Sequence, residues 1–194
     1  METSEFFVQQ YDDVCSIIDG MVLKDMSDDQ MRTPSEVGLN SLVWYLWHVS
    51  RWNDVATRVV TPKSEQVLDE QWLQRMNVAR RDGGTGMTPD ECTTFNAEVD
   101  PAGVRAYWGA VSERVQQVGR SVPSDEWGKT VEESRLSEVL GDGVIGSERA
   151  RWLESFLAGK TRAWWLSFTV WHTAEHLLGG AVCVRRLKGI PLGL

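Results

Sequence analysis

The chain has three histidines, His48, His172 and His176, and each falls in a long stretch whose apolar residues recur at helical spacing. His172 and His176 stand four residues apart, so on a helix their rings lie one turn apart on one face, within reach of a single ion. His48 can complete the set from an adjacent helix, because helices in contact run about 8–10 Å apart, roughly the span of two inward imidazoles and a metal. Zinc held by three histidines keeps a position for water or substrate, whereas a structural zinc is closed by four protein ligands. The sequence offers no obvious fourth ligand, so an open site is expected, with zinc as the first choice of divalent metal and nickel as the second. The competing reading is that the three imidazoles are buried and satisfied by hydrogen bonds alone.

The neighbours of these histidines suggest a pocket. Trp44 and Trp52 lie one turn to either side of His48, and Trp165, Thr169, His172, His176, Gly180 and Cys183 follow one stripe that should face the core. Trp44, Trp52 and Trp165 are the candidate pocket walls among the ten tryptophans, and ordinary core packing is their alternative role. Glu175 precedes the second histidine, unlike the H-E-x-x-H pattern, and is expected off the metal-facing side as a solvated charge. Cys183 is roughly 10 Å past His176 along a helix, too far to ligate, and it reads with Cys15 as a small buried hydrophobe. Gly179 and Gly180 suggest a close approach, inside the fold or at a homodimer seam. Arg185, Arg186 and Lys188 complement the negative end of the last helix. No side chain is assigned a catalytic role beyond metal binding.

Four long helices must position these groups. The first is expected over residues 3–21 with Phe6, Tyr11 or Val14, Ile17 or Ile18 and Met21 buried; a polar connection over 28–40 ends at Asn40 as a cap. The second runs over 41–60, buries Leu42, Tyr45 or Leu46, Val49, Trp52, Ala56 and Val59, and is stopped by Thr61 and Pro62. A short helix over 65–79 and a glycine-rich loop over 82–89 follow; the loop lacks the strand and lysine of a phosphate cradle. Asp100 and Pro101 open the third helix, to residue 120. A connection over 121–159, with a short helix over 148–157, leads to the last helix over 160–188, stopped by Gly189 and Pro191. This is an all-α, four-helix-bundle pattern with two long crossovers carrying short extra helices, expected as a single domain over 1–194.

Composition narrows the function. Twenty basic against 28 acidic residues give a net charge of −8, which repels phosphate backbones, so nucleic acid is not the expected partner. No apolar run approaches the roughly 20 residues of a membrane span, and the N-terminus is acidic, so the expectation is a cytoplasmic protein without a membrane partner. Three cysteines without paired spacing fit neither a disulfide scaffold nor a cysteine-based zinc finger.

The segment from Asn40 to His48, continued by Trp52 and Asp54, together with His172-x-x-x-His176 and the trailing Arg-Leu-Lys-Gly-Ile-Pro, resembles the DinB/YfiT-like superfamily of metal-dependent enzymes. Gln71-Trp72 and the glycine-rich loop extend the resemblance over nearly the whole chain. It implies an up-down-down-up four-helix bundle with His48, His172 and His176 as metal ligands. Relatives of this fold include S-transferases that use bacillithiol or mycothiol, and a mycothiol-dependent maleylpyruvate isomerase. The isomerase carries Glu-x-x-x-His where this chain has His172 and His176, which points away from isomerisation. Leu177-Leu178-Gly179-Gly180 also departs from the Gly-Gln or Gly-Glu that many members carry, so a partner for the ligands must come from elsewhere. Arginine outnumbers lysine, the bias of a GC-rich genome, which favours mycothiol over bacillithiol. The implied function is transfer of a small thiol to an electrophile at the three-histidine metal site. The alternatives are a metal-dependent hydrolase and a non-catalytic, metal-containing small-molecule binding or stress-response module.

Overall fold

The computed structural model describes residues 2–34, 38–61 and 65–191. The chain is all-α. Helix α1 (Thr3–Ile17) continues as a π-helical stretch (Ile18–Leu23), followed by α2 (Asp28–Arg32), α3 (Leu42–Val60), α4 (Glu70–Met76), α5 (Pro89–Glu98), α6 (Pro101–Ser121), α7 (Glu133–Gly141) and α8 (Trp152–Leu157). The last long segment is α9 (Arg162–Thr173), a π-helical stretch (Ala174–Ala181) and α10 (Val182–Leu187). Helix α1 packs on α6 and α9, and α3 packs on α6, α9 and the second π stretch. Among the described residues, no helix is long and apolar enough to cross a membrane.

Helix α3 sits at the centre and is buried on nearly every side, including its polar Ser50, Arg51, Asn53, Asp54 and Thr57. Ser41 starts it, its Oγ accepting from Trp44 N at 3.1 Å while donating to Asn96 Oδ1 at 2.6 Å, so the cap is one residue beyond the expected Asn40. Val60 ends it, and Pro62, expected as part of the stop, lies outside the described residues, as do 35–37 of the expected polar connection. Helix α6 buries Val104, Tyr107, Trp108, Val111, Val115 and Val118, a 3–4 spacing whose burial contributes roughly 1.5–3 kcal/mol for each large aliphatic side chain.

Several elements differ from expectation. Over α1 and the π stretch Tyr11 and Ile18 are buried as expected, whereas Phe7 and Val22 are buried in place of Phe6 and Met21, Cys15 joins them, and Phe6 and Ile17 are exposed. Each pair offers two apolar neighbours in sequence, and contact with Trp127 and Gly119 selects Phe7. Helix α2 occupies part of the expected polar connection; its capping box joins Ser27 and Gln30. Helix α5 was not expected, although Thr88-Pro89-x-Glu91 is itself a capping box with proline in the first turn. Helix α4 is shorter than expected, ending where Asn77 turns left-handed at φ 51°.

Candidate metal centre

His48 lies in mid-α3, 5% exposed, with its ring stacked on Trp44 at 4.6 Å between centroids. Its Nδ1 lies 2.5 Å from the carbonyl oxygen of Gly83. A carbonyl has no proton to give, so Nδ1 carries the hydrogen and donates it, and the lone pair is left on Nε2. Such an arrangement orients metal-binding imidazoles generally.

The glycine-rich loop makes this contact available. A Cβ on Gly83 would stand 2.4 Å from Trp52 Nε1, and one on Gly84, whose φ is +78°, 2.5 Å from Trp47 Cζ3. The loop is tied down by Trp44 Nε1 on Met87 Sδ at 3.2 Å, Trp52 Nε1 on Thr85 Oγ1 at 3.3 Å, and Gly84 N on Asp82 Oδ1 at 2.7 Å. Arg51 donates twice to the Arg81 carbonyl, at 3.0 and 2.7 Å, and its NH1 meets Asp54 Oδ2 at 3.1 Å. Asp54 also accepts from Tyr107 Oη and from the backbone N–H groups of Val67 and Leu68. A buried, fully partnered charge pair in α3 thereby holds both loops that flank it.

The last helical segment supplies the other two rings. His172, from α9, is 6% exposed and stacks on Phe168 at 4.5 Å. Asn53 Nδ2 donates to Thr173 Oγ1 at 3.0 Å and to Tyr11 Oη at 3.2 Å, which joins α1, α3 and α9 beside His172. His176 lies in the second π stretch, half-buried, with Tyr45 6.0 Å away. Gly180 permits this approach, because a Cβ there would stand 2.8 Å from Tyr45 Cζ.

The three ring centroids are 5.1, 4.9 and 4.5 Å apart, and one nitrogen from each lies within 4.8 Å of the other two. Metal–imidazole bonds are about 2.0–2.1 Å, so one ion can bridge them after small ring rotations. Burial, reinforced by the charge His176 would carry, pushes His48 down to about 3, the Gly83 bond opposing. Burial, with His48 and His176, holds His172 well below its ordinary value; burial lowers His176 less completely, Glu175 opposing. All three are neutral near pH 7, the form that ligates. Nδ1 of His172 is buried with no hydrogen-bond partner, which costs about 1–3 kcal/mol for such an atom. The neutral donors, the free lone pair on His48 and this orphaned nitrogen fit a divalent metal.

The cluster opens into a cavity of about 450 Å³. Trp44 and Trp52 line it, whereas Trp165 does not: its ring is fully buried in the core. Sequence reasoning missed Phe168, Trp171, Trp152, Phe156 and Cys92 as lining residues. The apolar pattern of α9 could have indicated Phe168; nothing local placed α8 or Cys92 there. Glu175 is exposed, as expected of a solvated charge, and it also borders the cavity, whereas Cys183 is exposed instead of buried. The difference at Cys183 arises because residues 174–181 are π-helical, with wider turns than the α-helix on which the expected stripe was drawn.

An all-α protein with three histidines converging beneath an aromatic cavity is the class defined by these features. The chain belongs to the DinB superfamily, whose family profile matches residues 21–178. Its structure is similar to that of a conserved protein from Enterococcus faecalis, with a TM-score of 0.71 and 17% sequence identity, covering 96% of this chain and 97% of that one. No curated protein matches the chain.

Proposed function

We propose that this protein is a metal-dependent S-transferase that joins a low-molecular-weight thiol, of the mycothiol type, to an apolar electrophile. The observation that carries the reading is the convergence of three imidazoles under an aromatic cavity, with no fourth His, Cys, Asp or Glu joining the cluster among the described residues. A divalent ion held by His48, His172 and His176, zinc before nickel, would supply Lewis acidity that lowers the pKa of a thiol from near 8.5. The chain's own groups do the rest. The Gly83 carbonyl fixes the His48 ring, Trp44 and Trp52 exclude water and flank the electrophile, and the Glu175 carboxylate at the cavity wall accepts the thiol proton. No side chain serves as a covalent nucleophile. The setting in this reading is the cytoplasm, where small thiols are kept reduced.

Glu175 also favours a second reading, a hydrolase in which that carboxylate takes the proton of an attacking water. One assay separates the two. Metal-loaded protein is incubated with mycothiol, bacillithiol, glutathione or coenzyme A, each with a bimane electrophile, and in parallel with ester and amide substrates. Transfer above background with one thiol, abolished by His176→Ala, supports the transferase; ester or amide cleavage without thiol transfer replaces it with the hydrolase.

A further inference from the structure

Helix α8 is anchored by Leu153 and Leu157, both buried, and turns Trp152 and Phe156 outward to the cavity wall. Trp152 is 57% exposed, Phe156 38%, and Trp171, which lines the same cavity from α9, 40%. Their partners form a continuous aromatic path. Trp152 and Phe156 are 5.7 Å apart, Phe156 meets Trp164 edge-on at 5.6 Å, Trp164 stacks on Phe168 at 5.5 Å, Trp171 meets Phe168 edge-on at 5.0 Å, and Phe168 stacks on His172. Three large rings left partly in water around one opening are not explained by core packing, and exposed apolar groups gathered at a concavity mark a binding surface.

The charges lining the cavity restrict what binds. Among the described lining residues there is no Lys or Arg, and Glu175 is the one carboxylate. Lys160 sits over the rings of Phe156 and Trp164 but does not line the cavity. Apart from the ion that the three histidines would hold at its base, an anion leaving water for these walls therefore finds no cationic partner on them. We propose that the cavity takes an uncharged, planar aromatic molecule, and that Trp152, Phe156 and Trp171 select its ring. This rests on the cavity being the reaction site, and in the transferase reading the ring belongs to the electrophile.

Calorimetric titration of the protein as purified with 2-naphthol, naphthalene-2-sulfonate and decahydro-2-naphthol tests the proposal. The expected result is binding of 2-naphthol roughly tenfold tighter than either of the others, weakened about three- to tenfold by Trp152→Ala or Trp171→Ala and largely restored in Trp152→Phe. Because these side chains are substantially exposed, the variants should keep the wild-type melting temperature. Equal or tighter binding of the sulfonate or the saturated alcohol would overturn the proposal, as would no binding of 2-naphthol or affinity indifferent to the alanine variants. Conversion of a dimer to a monomer by Trp152→Ala, with ring affinity unchanged, would make the aromatic rim a subunit contact and also overturn it. Ring-selective binding without thiol transfer would defeat the transferase and leave this inference standing; thiol transfer without ring selectivity would do the reverse.

Discussion

The His48 ring is oriented by an atom that carries no side-chain identity, the carbonyl oxygen of Gly83. Substituting Gly83→Ala places a methyl against the Trp52 indole and must displace the loop. The expected cost is about 1–3 kcal/mol from overpacking, and the loss of a hydrogen-bonded partner should weaken metal affinity roughly 10- to 100-fold. Chemical denaturation and competitive chelation measure the two effects. The depressed basicity of the cluster gives a second expectation. A histidine whose folded pKa lies below its unfolded value contributes its full stability above the unfolded value, and that stability is lost as pH falls toward the folded one. For His48 the window runs from 6.5 down to about 3, so metal-free protein should destabilise on acidification across it, with a shallower slope in His48→Gln. The three histidines could be read as a set from their types and spacing, because chemistry that demands particular side chains leaves a trace in sequence. The Gly83 carbonyl could not, since a backbone atom leaves no such trace.

At the scale of elements, the central device is α3, which carries the proposed ligand His48 and, one turn on, the buried Arg51–Asp54 pair that fixes the flanking loops. Asp54→Ala leaves Arg51 charged and buried without its carboxylate, and should cost about 3–5 kcal/mol in an unfolding titration. Tyr107→Phe removes one hydroxyl contact from the same network and should cost about 0.5–1.5 kcal/mol. The long helices were legible because sustained 3–4 periodicity and the cap at Asp100 agree with their packing, although α3 is capped by Ser41 and not by Asn40. Helices α2, α5 and α7 were not read, although α2 and α5 open on capping boxes whose Ser27-x-x-Gln30 and Thr88-x-x-Glu91 patterns stand in the sequence. The π stretch, by contrast, was hidden. A run of apolar residues and glycines reads equally well with either turn, and packing of Gly180 against Tyr45 settles which residues face inward.

At the scale of the whole molecule, an ion held by His48, His172 and His176 would join α3 to the last helical segment, elements more than a hundred residues apart in the chain, so metal should stabilise the fold. With free metal at a hundredfold excess over its dissociation constant the linkage is about 2.7 kcal/mol, and chelation should lower the melting temperature by roughly 5–11 °C. A His172→Ala variant should show little response to the same chelator. Sequence made the all-α class and the distant histidines legible, but it gave no way to see the aromatic mouth, which forms where α8 meets α9 across a connection of irregular structure. The central claim is that His48, His172 and His176 hold one ion together. It is tested most directly by elemental analysis of untagged wild-type protein beside the three single alanine variants. The account predicts about one equivalent of divalent metal per chain in wild type and loss of most of it in each variant; equal metal content in all four proteins would contradict it.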